Sequence, residues 1–131
     1  MQKTALCPCH SKKNYAECCL PYHEGKQPPT PLALMRSRYS AYALGLVDYI
    51  VKTTHPQNPE AAKPLLQRRK EIEEFCQQTR FVGLEILEST ENTVTFNVIL
   101  FQRGREFSFK EKSDFEKVAG QWLYLSGELS S

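Results

Sequence analysis

No stretch of this 131-residue chain approaches the ~20 consecutive apolar residues of a membrane helix, so no span is expected. A surplus of one charge sign is missing too: 17 Lys and Arg stand against 15 Asp and Glu. Strong or sequence-specific nucleic-acid binding draws on a large basic surplus and is therefore not expected. Groups for acid–base chemistry are sparse, with three histidines and only Asp48 and Asp114 as aspartates. Neither a glycine-rich phosphate loop, a nucleophile elbow nor an HExxH helix occurs, which leans the reading away from an enzyme. Repeats and low-complexity tracts are absent as well. What remains is an ordinary globular composition, 40% hydrophobic and 24% charged. The length suits one compact domain and a small appendage.

Cysteine is the exception to this plainness. Four of the five cysteines fall in two clusters, Cys7-Pro8-Cys9 and Cys18-Cys19, with Lys3, Lys12 and Lys13 around them. Packing does not account for four neighbouring small sulfurs near a chain end, whereas a tetrahedral metal site does. Disulfides and unligated thiols are the alternatives. Zinc bound by four sulfurs is closed and structural, and iron(II) takes the same donors. Gaps of one residue and of none are unusual for such sites. Pro8 fixes φ and tightens the first turn, while adjacent Cys18 and Cys19 reach one ion only from a distorted turn, being about 100° apart on a regular helix. Four thiolates and one divalent cation together carry −2, which brings the formal charge of +2 close to neutral. Thr4-Ala5-Leu6-Cys7 resembles a lipoprotein cleavage box, yet too few residues precede it for an export signal. A cytoplasmic protein is expected, in whose reducing surroundings clustered cysteines favour metal over disulfides.

Residues 1–26 lack the branched aliphatics for a core, so a metal must take its place. Residues 27–131 form the second unit, entered through the stiff linker Gln27-Pro28-Pro29-Thr30-Pro31. Thr30 is a predicted helix N-cap with Pro31 at the first position. Leu32, Met35, Tyr39, Tyr42, Leu46 and Tyr49 recur at helical spacing, with Gly45 able to divide the helix and Arg36, Ser37 and Ser40 on its polar face. A second helix is predicted over Glu60 to Gln78, with Leu65, Ile72, Phe75 and Cys76 inward and Arg68, Arg69 and Lys70 solvated. The period then changes to two: Val82, Leu84 and Ile86; Val94, Phe96, Val98 and Leu100; Phe107 and Phe109; Trp122 and Tyr124. Turn signals at Glu91-Asn92, Arg103-Gly104 and Ala119-Gly120 separate four strands of an antiparallel meander. Helices followed by sheet is an α+β order.

The run from Cys7 through His10, Ser11, Lys12, Lys13 and Tyr15 to Cys18-Cys19 closely resembles the SEC-C motif, a zinc module named after the C-terminus of the translocation ATPase SecA. Pro21-Tyr22-His23, the segment Leu34-Met35-Arg36-Ser37-Arg38-Tyr39-Ser40-Ala41-Tyr42, and Thr54-His55-Pro56 extend the match to the bacterial YchJ family over nearly the whole chain. The resemblance implies Cys7, Cys9, Cys18 and Cys19 as zinc ligands. It also implies a domain like nuclear transport factor 2 (a cystatin-like cone), with helices wrapped by a curved antiparallel sheet. His10 and Lys12 stand where the family usually has glycine, so positive φ there would strain the loop. Many relatives carry a second SEC-C module that this sequence does not show.

His10 and His23 are candidate alternative metal ligands, His23 lying one helical turn after Cys19. Arg36, Arg38, Tyr39, Tyr42, His55 and Trp122 are candidate pocket residues. At most one of the two arginines is expected to face the sheet, with Glu85, Glu106 or Asp114 as partner, or several carbonyls instead. Cys76 reads as a small hydrophobe rather than a nucleophile. Two functions follow. The leading one is an interaction module whose zinc-stiffened basic knuckle docks on a protein partner, by analogy a ribosome- or translocation-associated component. The alternative is a small-ligand-binding protein or enzyme using the cone. An open cone with polar groups at its mouth would favour the second, and a filled cone with an exposed basic knuckle the first.

Overall fold

The computed structural model describes residues 5–130; Lys3 lies outside them. Helices α1 (Leu20–His23), α2 (Pro31–Leu44), α3 (Val47–Lys52) and α4 (Leu65–Gln78) precede five strands, β1 (Thr79–Ser89), β2 (Thr93–Gln102), β3 (Arg105–Glu106), β4 (Phe109–Val118) and β5 (Gln121–Ser130). Short 3-10 turns occupy Tyr15–Glu17 and Pro59–Ala62. All strand pairs are antiparallel in the order β1-β2-β4-β5, with β3 a short addition beside β2. Among the described residues no helix is long and apolar enough to cross a membrane.

The predicted start of α2 is present, since the Thr30 hydroxyl accepts from the Ala33 amide at 3.1 Å and Pro31 follows as the first residue. The break is present too: Gly45 closes α2 at φ 72°, a left-handed conformation that a Cβ would strain. The second helix differs. Pro64 confines regular α-helix to Leu65–Gln78 and leaves a separate turn before it. Leu65 is exposed, and Arg68 is buried with a guanidinium nitrogen 3.4 Å from the Val51 carbonyl, the reverse of the expected facing.

In the sheet, Val94, Phe96, Val98 and Leu100 all point inward as their alternation predicts. In β1 the phase slips at an irregularity between Phe81 and Gly83. An extra residue in one strand reverses the facing of its neighbours, so Phe81 joins the core and Val82 is exposed. Tyr39 uses this irregular stretch by donating to the Gly83 carbonyl at 3.2 Å. Phe107 is exposed outside the strands, and the strand expected at Phe109 starts there but runs on through charged residues to Val118, an extension that periodicity did not show. Its buried residues are Ser113 and Phe115.

Helix α2 is covered on both sides. Met35 and Tyr39 meet the sheet in the main core, while Ser37 and Ser40, expected on a solvated face, have no exposure. The N-terminal knuckle covers Ser40 through the sulfurs of Cys7 and Cys19, while the Ser37 hydroxyl lies 2.7 Å from that of Tyr49 in α3. Cys7, Cys9, Tyr15 and Cys19 share one continuous buried cluster with Leu34, so residues 5–24 pack on the cone rather than hang from a linker.

Candidate metal centre and cone cavity

The knuckle begins as a miniature hairpin. Leu6 and Asn14 bridge, the Cys7 amide donates to the Lys13 carbonyl at 2.8 Å, and the Tyr15 amide donates to the Ala5 carbonyl at 2.8 Å. Within its loop His10 and Lys12 have φ of 62° and 70°, so the positions where glycine was expected do take the left-handed conformation. That costs a side-chain-bearing residue roughly 1–2 kcal/mol. Lys12→Gly, at an exposed site, should raise knuckle stability by about 0.5 kcal/mol once the entropy of glycine is deducted. Chelator-competition titration would register this as slower metal loss; unchanged or faster loss would show the loop to be unstrained.

The second pair of cysteines follows the 3-10 turn. Cys18 sits at φ −122°, ψ −95°, outside regular helix, and Cys19 is helical at the start of α1. This distortion lets adjacent sulfurs converge. The sulfur atoms of Cys7, Cys9, Cys18 and Cys19 all lie within 4.8 Å of one another. Cys9 and Cys18 are 3.6 Å apart, and Cys18 and Cys19 are 3.9 Å apart. Tetrahedral zinc with Zn–S near 2.3 Å calls for S···S of about 3.8 Å, so the donor set fits such an ion. The protons reinforce the fit. Hydrogen bonds from Cys19 and then Cys7 hold Cys9 as a thiolate far below its ordinary range. Cys19, hydrogen-bonded to Cys7 and Cys9 and buried, is pushed far up, and burial pushes Cys18 up to about 11. Sulfurs this close cannot all ionise without a cation among them.

Polar groups of α2 face this cluster. Ser40 lies 3.4 Å from the Cys7 sulfur and 3.3 Å from that of Cys19. Arg36 donates to the Cys9 carbonyl at 2.9 Å and approaches its sulfur at 3.8 Å. Neither candidate histidine stands in the sulfur group. His10 is exposed, with its ring edge-on to Tyr39. His23 lies 2.7 Å from the Tyr15 hydroxyl through Nδ1 and 2.8 Å from the Ser37 carbonyl through Nε2. Burial holds its pKa down. A neutral ring that accepts from Tyr15 and donates to Ser37 ties α1 to α2.

On the other side of α2 the cone is open. A cavity of about 360 Å³ lies between α2, α4 and the sheet, with Arg38, Tyr39 and Tyr42 among its walls. Arg36, His55 and Trp122, expected at the pocket, lie elsewhere. Arg36 belongs to the knuckle. His55 is buried between the helical layer and β5, its amide donating to the Tyr124 carbonyl and its Nε2 lying 2.8 Å from Glu116. Trp122 stacks under Lys117, whose ammonium is 5.9 Å from the ring centre. Among the described residues Arg38 has no carboxylate partner: Nη1 donates to the Ile50 carbonyl and to the hydroxyls of Thr53 and Thr54. Glu85, Glu106 and Asp114 do not pair with it among the described residues. The sequence reading missed Glu111, Ser113 and Tyr124 as a set, because they come together only across β4 and β5.

Comparison with known proteins agrees with both halves. Residues 4–21 match the SEC-C motif, and residues 30–127 match the family described as YchJ, middle NTF2-like domain. A UPF0225 protein of Haemophilus influenzae is 36% identical over 130 residues, covering 95% of this chain and 78% of the relative. One from Deinococcus radiodurans is 38% identical over 121 residues, with 91% and 85% covered. Among solved structures, a SEC-C motif containing protein from Rhodopseudomonas palustris superposes with TM-score 0.81 at 33% identity, covering 97% of this chain and 100% of that one. Another from Psychrobacter arcticus gives TM-score 0.74 at 26% identity, with 98% and 85% covered. A cysteine-rich SEC-C knuckle seated on an NTF2-like α+β cone places this chain in the YchJ, or UPF0225, family.

Proposed function

We propose that this is a cytoplasmic small-molecule-binding protein, with the open cone as binding site and a zinc ion as the structural centre that holds α2 in place. The observation that carries the reading is the cavity itself. Its volume of about 360 Å³ falls in the range of small-molecule sites, which combine apolar walls with a few convergent polar groups. Eight of its seventeen lining residues are aromatic, and Arg38, Glu111, Ser113 and Tyr124 supply the polar groups. An NMR titration with aromatic fragments at millimolar concentration should shift amides around Met35, Phe96 and Phe115. Shifts scattered over the surface, or none, would remove the support for this reading.

Cys7, Cys9, Cys18 and Cys19 would hold the metal. Zinc in a four-sulfur set has no open position, so it supplies rigidity and no reactive water. Iron(II) is the competing occupant of the same donors. Elemental analysis of protein purified under reducing conditions should find close to one equivalent of zinc, and less than about a tenth of an equivalent of any transition metal would refute the assignment. A visible charge-transfer band would point to iron.

A second reading, docking of the knuckle on an acidic protein partner such as a ribosome- or translocation-associated component, is supported by Lys12 and Lys13. Both are exposed beside the sulfur cluster and take no part in an ion pair among the described residues. An exposed contact of this kind is screened over ~8–10 Å by salt. Lys12→Glu with Lys13→Glu should therefore abolish a salt-sensitive capture while leaving metal content unchanged. Equal capture by the variant and the parent would discard docking through these lysines.

A further inference from the structure

Glu111 enters the cone from the inner face of β4, in line with the buried Ser113 and Phe115. The Ser113 hydroxyl donates to its Oε2 at 2.5 Å and the Tyr124 hydroxyl at 3.1 Å. Burial, with Glu111 beside it, pushes the Tyr124 pKa upward, so that phenol remains a donor. Both hydrogen bonds converge on one oxygen, and Oε1 has no hydrogen-bond partner among the described residues. The room for this arrangement comes from Gly127, the cross-strand partner of Ser113. A Cβ at Gly127 would overlap the Glu111 carboxylate and sit 2.7 Å from the Tyr124 hydroxyl.

The other lining charges are already engaged. Glu60 and Glu71, both exposed, share Lys63 at 3.1 and 2.8 Å. Arg38 is buried against the end of α3 through Nη1, with its guanidinium 4.8 Å from the centre of the Tyr124 ring. Glu111 takes part in no ion pair among the described residues. Around it stand aromatic rings such as Tyr42, Phe96 and Phe115, whose faces carry negative potential and attract cations. A carboxylate oriented by two hydroxyls inside an aromatic chamber lacks only a positive partner.

We propose that the cone selects small molecules bearing one positive charge, an ammonium or amidinium group, on an apolar body, with Glu111 receiving the charge. This rests on the reading of the cone as a binding site. Gly127 is the positioning residue that leaves space for the carboxylate.

Three probes of nearly equal shape separate the possibilities: phenethylamine, phenethyl alcohol and 3-phenylpropionate, titrated into the metal-loaded full chain by calorimetry and NMR. The amine should bind about tenfold or more tighter than the alcohol, as a charge-assisted hydrogen bond in a partly desolvated site warrants. In Glu111→Gln, which keeps shape and volume, the amine should fall to the level of the alcohol while alcohol binding persists. Gly127→Ala should reduce the amine preference in the same direction, with an unchanged amide spectrum elsewhere reporting an intact fold. Equal binding of amine and alcohol to the parent protein would overturn the charge selection and leave the cone reading standing. Tightest binding of the propionate would overturn it in favour of Arg38, and persistence of the amine preference in Glu111→Gln would overturn the role of Glu111. Absence of binding by all three would overturn both the selection and the cone reading.

Discussion

Removal of the metal with a strong chelator is expected to strip hydrogen-exchange protection from residues 5–24, and to raise exchange along α2 and α3, while β2, β4 and β5 stay protected. Structural zinc contributes on the order of 10 kcal/mol to modules of this size, and these residues have little else inside them. Cys7, Cys9 and Cys19 are themselves the buried side chains of the knuckle, together with Tyr15. Once the sulfurs separate, the Tyr15–His23–Ser37 chain of hydrogen bonds opens with them. Helix α2 then loses its cover over Ser40, but that is a hydroxyl side chain that water can satisfy. Its opposite face still packs through Met35 and Tyr39 against the sheet. Exchange mass spectrometry before and after chelation is the measurement. Complete unfolding would mean that knuckle and cone are one cooperative unit, and an unchanged pattern would mean that the four cysteines hold no metal. Because α2 also walls the cavity, ligand affinity should fall in the chelated protein, and restoration of zinc should return it.

Replacement of Arg38 by methionine is expected to destabilise the cone by about 3 kcal/mol, the cost of leaving buried hydrogen-bonding groups without their charged partner. Nη1 of Arg38 serves the Ile50 carbonyl and the hydroxyls of Thr53 and Thr54 where α3 ends, so the substitution also uncaps that helix. Thr53 and Thr54 keep their bonds to backbone carbonyls at 2.7 Å, which limits the loss. For a chain of this length the melting temperature should drop by roughly 10 °C. Lysine at the same position should recover only part of it, since a single ammonium lacks the planar fork. Thermal unfolding of parent, methionine and lysine variants tests this. A shift below about 1 kcal/mol in the methionine variant would show that Arg38 serves the cavity rather than the fold.

Most of the architecture is legible from one-dimensional pattern where that pattern reflects a single buried face. The four alternating residues Val94 to Leu100 face one core and announce a strand. Thr30-Pro31 and Gly45 mark the ends of α2 by local chemistry that needs no distant partner. The clustered cysteines and their tight turn are local too, and the positive φ at His10 and Lys12 shows how closely the loop must bend. Patterns failed where an element has two buried faces or none that is continuous. Ser37 and Ser40 look solvated because they are polar, yet Tyr49 of α3 lies on the first and the knuckle on the second. Past the expected Phe109, the rest of β4 to Val118 looks like a surface run because Glu111 and Ser113 occupy inward positions normally held by apolar residues.

The sequence by itself determined a cysteine-rich knuckle, an α-then-β order and the family, because each rests on neighbours along the chain. Tertiary structure decided the rest. It turned Arg36 to the sulfurs and Arg38 to the end of α3, although only Ser37 separates them, since successive helical residues point about 100° apart. It slipped the phase of β1 at Gly83, placing Phe81 inside and Val82 outside. It also brought Glu111, Ser113 and Tyr124 together from two strands beside the bare backbone of Gly127. No spacing rule encodes such a meeting, because the register of β4 against β5 depends on a bulge and on the packing of the whole sheet over α2.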